Sequence, residues 1–211
     1  MINQANNLAI VIIAAGNSSR LGTNKQLIKL NGATLLGRTI DIAKQLNNPF
    51  ICVLGFDADK IKRQTNLNSD TFVINNHWQQ GMGSSIACGV NYFSHSNSTT
   101  FDAVMILLCD QYLISLTELK DLRAKWKKSD NNKIIACQYF DQKEQKMIQG
   151  APAIFPKQYF DQLKILKEKG ARKIIQNNQH NLISVPLENA AIDLDTKEDL
   201  EQFKNLSSKN H

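Results

Sequence analysis

The segment that most constrains this chain is Leu8 to Lys25, LAIVIIAAGNSSRLGTNK. Leu8–Ala14 is an apolar run of strand length and composition. It empties into a loop of small residues: Ala14, Ala15, Gly16, Asn17, Ser18 and Ser19. Small residues let a backbone approach a ligand closely, and successive loop N–H groups form an anion-binding concavity. Arg20 and Lys25 follow within one short reach. Two cations beside such a concavity suit a polyphosphate. The spelling is not GxxxxGK[ST], because no Lys follows Gly22, and not GxGxxG, because only Gly16 lies in the turn. The structural alternative is a strand ending in a polar turn with both cations solvated.

Further blocks extend the pattern. IAAGNSSRLGTNK (Ile13–Lys25) resembles the phosphate loop of MobA-like nucleotidyltransferases, L-A-[AG]-G-x-S-x-R-x-G-x-x-K. GMGSSIACGV (Gly81–Val90) resembles GMSSSLRAGL, MILLCDQYLIS (Met105–Ser115) resembles LLADQPLLT, and GAPAIFP (Gly150–Pro156) resembles GHPVLF. GAR (Gly170–Arg172) recurs, and DLDTKEDL (Asp193–Leu200) resembles DIDTPEDL. The order and coverage of these blocks are most similar to the molybdenum-cofactor cytidylyltransferase branch. Tyr112 stands where that pattern has proline, and Ala151 where it has histidine.

The rest of the sequence alternates strand-like and helix-like segments. That alternation predicts an α/β, Rossmann-like three-layer sandwich, a mostly parallel sheet with helices on both faces. The resemblance implies the nucleotide-diphospho-sugar transferase type of that fold. Strands are expected at Leu8–Ala14, Phe50–Phe56, Thr71–Ile74, Ala103–Cys109, Ile134–Tyr139, Ala151–Phe155 and Leu182–Val185, with Ala190–Leu194 as a further short one. Helices are expected at Leu35–Leu46 behind Thr34, after Ser115 (a capping box with Glu118), at Tyr159–Lys167, at Lys173–Asn177, and after Thr196. Asp141–Lys146 reads as an exposed β-hairpin, Ser94–Thr100 as a polar loop and Asn205–His211 as a frayed end. At 211 residues, one nucleotidyltransferase domain spanning 1–211 is expected.

Composition narrows the partners. Net charge is +6, but no basic stripe interleaved with aromatics occurs, which argues against nucleic acid. The polar start MINQANN lacks a signal-peptide pattern, and the apolar runs are of strand length, so no membrane association is expected. The four cysteines, Cys52, Cys88, Cys109 and Cys137, contain no CxxC and read as small buried hydrophobes in a reducing cytoplasm. Cys109 is held open because it precedes a candidate metal ligand.

Ligands of an open parallel sheet gather at the carboxyl ends of its strands. Asp110 directly follows the apolar run AVMILLC, and a Mg²⁺–nucleotide site needs such a strand-end carboxylate. Asp193 and Asp195 lie two apart and share a side if the segment is extended. Asp193 is taken as the second Mg²⁺ ligand with Asp110, and Asp195 as a turn former with Thr196. Gly81, Ser84 and Ser85 lie in the block that the resemblance puts in the nucleoside pocket. There the two serines are helix caps, base contacts or both. His77 and Trp78 read as packing or stacking residues.

The reaction these features imply needs no side-chain nucleophile. A phosphate monoester is largely dianionic at neutral pH. It attacks the α-phosphorus of a nucleoside triphosphate in line and expels pyrophosphate, with Lys25 and Arg20 as the catalytic cations and Mg²⁺ as cofactor. The resembled family reads AAG in cytidylyltransferases and AGG in many guanylyltransferases, and this chain has Ala14–Ala15–Gly16; the extra Cβ at Ala15 crowds a purine more than a pyrimidine, so the resemblance implies CTP. The resemblance implies the molybdenum cofactor (molybdopterin) as acceptor and a molybdoenzyme as receiver of the product. A GTP-using guanylyltransferase, a sugar- or polyol-phosphate nucleotidyltransferase and a non-catalytic cofactor-insertion chaperone remain the alternatives.

Overall fold

The structure, a computed structural model, describes residues 7–65, 67–94, 100–129, 131–142, 144–196 and 198–201. Among the described residues nine strands form: β1 (Leu8–Ala14), β2 (Lys29–Leu30), β3 (Ala33–Thr34), β4 (Phe50–Leu54), β5 (Phe72–Ile74), β6 (Ala103–Leu108), β7 (Ile134–Asp141), β8 (Lys146–Pro156) and β9 (Leu182–Pro186). The helices are α1 (Leu35–Gln45), α2 (Ala58–Thr65), α3 (Met82–Ser94), α4 (Leu116–Lys128), α5 (Phe160–Lys164) and α6 (Arg172–Asn177). Seven strands make one sheet in the order β5-β4-β1-β6-β8-β7-β9. Only β8 runs against its neighbours β6 and β7, so the sheet is mostly parallel.

β1 sits inside the sheet, and its alternate residues feed two separate cores. Leu8, Ile10, Ile12 and Ala14 pack with α1, α2 and α4, through Leu36, Ile40, Ile61, Leu119, Leu122 and Trp126. Ala9, Val11 and Ile13 pack with α3, α5 and α6, through Ile86, Val90, Leu163 and Ile175. This is the three-layer sandwich. A strand buried on both faces needs an unbroken apolar run, and LAIVIIA supplies it. No helix among the described residues is long and apolar enough to cross a membrane.

Local signals hold where they were chemical. The Thr34 hydroxyl accepts from the Gly37 N–H at 3.0 Å and opens α1. Ser115 and Glu118 form the complete capping box of α4. The expected hairpin is present, with Asp141 opposite Lys146.

Several expectations need correction. Ala190–Leu194 is not a strand: Glu188–Ala191 forms a 3₁₀ turn, and the chain beyond it leaves the sheet. Tyr159–Lys167 is a 3₁₀ turn, Lys157–Tyr159, followed by the short α5. α2 and the small β2–β3 hairpin were not foreseen. That hairpin turns at Asn31 and Gly32, both at positive φ, the pattern of a two-residue Asn-Gly turn. A helix starts at 198 after Thr196, but most of it lies outside the described residues, as do Asn205–His211 and residues 95–99 of the polar loop.

Candidate functional site

The loop after β1 is held from outside itself. The Ala15 carbonyl accepts from the Phe56 N–H at 3.1 Å. The Gln26 Nε2 donates to the Ala14 carbonyl at 2.9 Å and to the Gly16 carbonyl at 2.8 Å. Ser18 takes a positive φ, and its carbonyl accepts from Leu21 and Gly22. Its hydroxyl accepts from the Lys25 N–H at 3.3 Å, and Asn17 Oδ1 accepts from the Ser19 N–H. Ala14, Ala15, Gly16 and Asn17 therefore line a cleft of about 500 Å³ together with Lys25, Gln26, Trp78, Gly81, Ser85 and Asp110. Ser18, Ser19 and Arg20 are not in its wall; they shape the turn or face outward.

Charge gathers at the end of β6. Lys25 Nζ lies 2.5 Å from Asp110 Oδ2 and 2.7 Å from Asp195 Oδ1, and Arg20 Nη2 lies 2.7 Å from Asp195 Oδ2. Burial alone would lower the Lys25 pKa, but Asp110, with Asp195 in support, holds it above the ordinary lysine value. Lys25 thus stays a cation through the neutral range. Arg20 is mostly exposed, at 70% of its side chain, so its pair with Asp195 is the weaker one. Asp110 Oδ1 is buried and has no hydrogen-bond partner among the described residues.

Of the two C-terminal carboxylates, Asp195 is the one drawn to Asp110, through Lys25. Asp193 instead lines a neighbouring cavity. The expectation that the pair share one side rested on an extended strand, and the segment after Ala191 is not one. Burial pushes the Cys109 thiol far up, so it is a neutral core group and not a thiolate ligand.

A further part of the cleft wall is built around the start of α3, with Gly81, Met82 and Ser85. A Cβ on Gly81 would fall 2.3 Å from the Glu168 carbonyl oxygen, and one on Gly83 2.4 Å from that of Lys169. Only glycine lets this helix start press against that segment, where the Ser84 N–H donates to the Lys167 carbonyl. Buried Asn75 donates from Nδ2 to the hydroxyls of Ser84 and Ser85, and its Oδ1 accepts from the His77 N–H. The Ser84 hydroxyl is in turn within donating distance of the Gly81 and His77 carbonyls. Ser84 faces a cavity on the other side of the helix start, with His77, whereas Ser85 faces the cleft. Trp78 lines the cleft and stacks edge-to-face on Phe56 at 5.5 Å.

A second cavity of about 780 Å³ shares Met82 and Leu108 with the cleft. Its wall includes Ile106, Leu108, Gly150, Ala153 and Phe155 from the sheet, and the cations Lys169, Arg172 and Lys173. Gln111 borders it and donates from Nε2 to the carbonyls of Ala151 and Ala190, both at 2.9 Å. Gln26, Asn75 and Gln111 were not foreseen from the sequence. Their one signal is position: Gln26 follows Lys25, and Gln111 follows Asp110.

A family model described as the MobA-like NTP transferase domain matches residues 10–182. The bifunctional protein GlmU of Pseudomonas aeruginosa (strain LESB58) is 34% identical over 121 residues, 56% of this chain and 25% of that protein. The chain thus spans about a quarter of the length of such curated relatives. The nicotine blue oxidoreductase of Paenarthrobacter nicotinovorans is 31% identical over 112 residues, 51% of each chain. The crystal structure of Rv0371c from Mycobacterium tuberculosis H37Rv superposes with a TM-score of 0.78 at 25% identity, over 94% of this chain and 97% of that one. A manganese complex of Rv0371c superposes at 0.70 and 21% identity, over 93% and 97%.

Proposed function

The chain belongs to the MobA-like NTP transferase family, and from that premise we propose that it is a nucleotidyltransferase moving CMP from CTP to the phosphate of the molybdenum cofactor, with release of pyrophosphate. The observation that carries the reading is the ion-paired cluster of Lys25, Asp110 and Asp195 at the mouth of a cleft walled by Ala14–Asn17.

The triphosphate lies along Ala15–Asn17 with its oxygens on Lys25, whose raised pKa keeps it charged. Arg20, at the far side of Asp195, neutralises the outer phosphates. The acceptor phosphate attacks the α-phosphorus; the new P–O bond forms as the bond to the β-phosphate oxygen breaks, and pyrophosphate leaves with the electron pair. Placement and charge neutralisation carry the rate, and no protein nucleophile is used.

A divalent cation fits these residues. Asp110 presents a buried carboxylate oxygen that no described residue satisfies, and oxygen donors suit a hard cation. Asp110 would hold Mg²⁺ with a second carboxylate from the Asp193–Asp195 segment, and the contact to Lys25 favours Asp195 over Asp193. When bound, Mg²⁺ supplies charge neutralisation to the triphosphate. Mg²⁺ commonly takes one or two carboxylates and completes its shell with phosphate oxygens and water.

Ala15 supports CTP, since it is buried against the cleft where a purine would need more room. The second cavity supports a pterin-like acceptor over a sugar or polyol phosphate. Its sheet side is apolar, suiting a flat ring system, and Lys169, Arg172 and Lys173 outnumber the carboxylates Glu168 and Asp193 in its wall, which suits an anionic group. A cofactor-insertion chaperone has no need of the Lys25 cluster. Pyrophosphate release is the test: the purified chain with CTP, Mg²⁺ and molybdenum cofactor should release it, and with sugar phosphates should not. Binding of nucleotide without transfer to any acceptor would replace the enzyme reading with the chaperone one.

A further inference from the structure

Gln26 is 1% exposed and directly follows Lys25 in a 3₁₀ turn. Both hydrogens of its amide are committed, one to the Ala14 carbonyl and one to the Gly16 carbonyl. Its Oε1 is buried and has no partner among the described residues. Leaving such an acceptor unpaired costs about 1–3 kcal/mol, a cost offset by the two hydrogen bonds that the amide donates to main-chain carbonyls. The amide is retained for its two donors.

Those donors fix the direction of the loop amides. In a trans peptide the N–H points opposite to the C=O of the same plane. Pinning the Ala14 and Gly16 carbonyls onto Gln26 turns the Ala15 and Asn17 N–H groups away from it. The Ala15 carbonyl is pinned from another direction by the Phe56 N–H, which sets the Gly16 N–H. Three successive peptide planes thus have their orientation set by partners outside the loop, and Ala14–Asn17 form the cleft wall.

We propose that Gln26 is a positioning residue for nucleotide phosphate: it presets the peptide planes of the β1 loop so that their N–H groups receive the triphosphate without further ordering. The proposal rests on the nucleotidyltransferase reading of the cleft. Lys25 attracts the phosphates, and the next residue in sequence shapes the surface that receives them.

The test is calorimetric titration of Mg–CTP and Mg–GTP into wild type, Gln26→Leu and Gln26→Glu, with folding checked by circular dichroism. Gln26→Leu should weaken Mg–CTP binding by about tenfold or more, the worth of one to two hydrogen bonds. Gln26→Glu sets a carboxylate against two carbonyl oxygens. Its deficit relative to wild type should be large near pH 8 and shrink near pH 5.5, where protonation restores one donor. Affinity of folded Gln26→Leu within twofold of wild type would overturn the proposal. Should the Leu variant not fold, a Glu deficit equal at both pH values would overturn it. Wild type binding neither nucleotide would overturn the nucleotidyltransferase reading as well, whereas tight wild-type binding with unaffected variants removes the Gln26 role alone.

Discussion

Lys25 is the residue on which the site turns. It touches Asp110 and Asp195, and burial without those partners would lower its pKa. Lys25→Ala should cut transfer by about 10²–10³-fold, the usual loss for one electrostatic partner of a developing charge. It should leave the circular dichroism spectrum unchanged; near-normal pyrophosphate release would remove Lys25 from the mechanism. The carboxylates give a graded result. Asp110→Asn should abolish Mg²⁺-dependent transfer, because an amide keeps the size but loses the charge that holds a hard cation. Asp195→Asn should cost more than Asp193→Asn, since only Asp195 bridges Lys25 and Arg20. Equal effects of the two would return Asp193 to first place. Ala15 carries a separate prediction. Mg–CTP should raise the thermal midpoint more than Mg–GTP at equal concentration, since a ligand stabilises the state it binds. Equal or reversed shifts would point to the guanylyltransferase alternative.

At the level of elements, the fit of α3 onto the sheet depends on Gly89. A Cβ there would lie 2.3 Å from Val11 Cγ1 and 3.0 Å from Val53 Cγ2. Glycine inside a helix normally costs about 1 kcal/mol relative to alanine. Here the order should invert: Gly89→Ala should destabilise by about 1–3 kcal/mol through overpacking, read as a lower denaturation midpoint. Val11→Ala in the same chain should recover part of the loss, since the two sites share one contact. A neutral or stabilising Gly89→Ala would mean that α3 can shift off β1. Such a shift would also move Gly81 and Ser85, so the same variant should weaken nucleotide binding.

Over the whole molecule, the buried thiols and Tyr139 make stability sensitive to alkali. Burial pushes Cys52 and Cys137 from 9.0 up to about 12, and Tyr139 from 10.0 up to about 12. Each binds its proton more tightly folded than unfolded. Their contribution is complete below about pH 9 and is lost as pH rises toward about 12, because the unfolded chain ionises first. Each thiol should cost about 1.4 kcal/mol per pH unit within that window, and Tyr139, partly exposed, less. Denaturant unfolding under reducing conditions should show stability level from pH 7 to 8.5 and falling from 9 to 11. A flat profile to pH 11 would mean that these groups reach water in the folded state.

The sequence by itself determined the layers and the meeting of the small-residue loop with Lys25. LAIVIIA and AVMILL are apolar at every position, the pattern that strands covered on both faces require. The small-residue loop and Lys25 are contiguous, so chain connectivity alone brings them together. Caps at Thr34 and Ser115 are local hydrogen bonds and were equally legible. Tertiary structure decided what depends on contacts distant in sequence. The reversed β8, the choice of Asp195 over Asp193 beside Lys25, and the assignment of Ser84 to scaffold and Ser85 to the cleft all arise from segments far apart along the chain. The glutamines were silent for the same reason. An uncharged amide carries no pattern in sequence, and Gln26 and Gln111 acquire meaning only when folding brings two main-chain carbonyls within reach of one side-chain nitrogen.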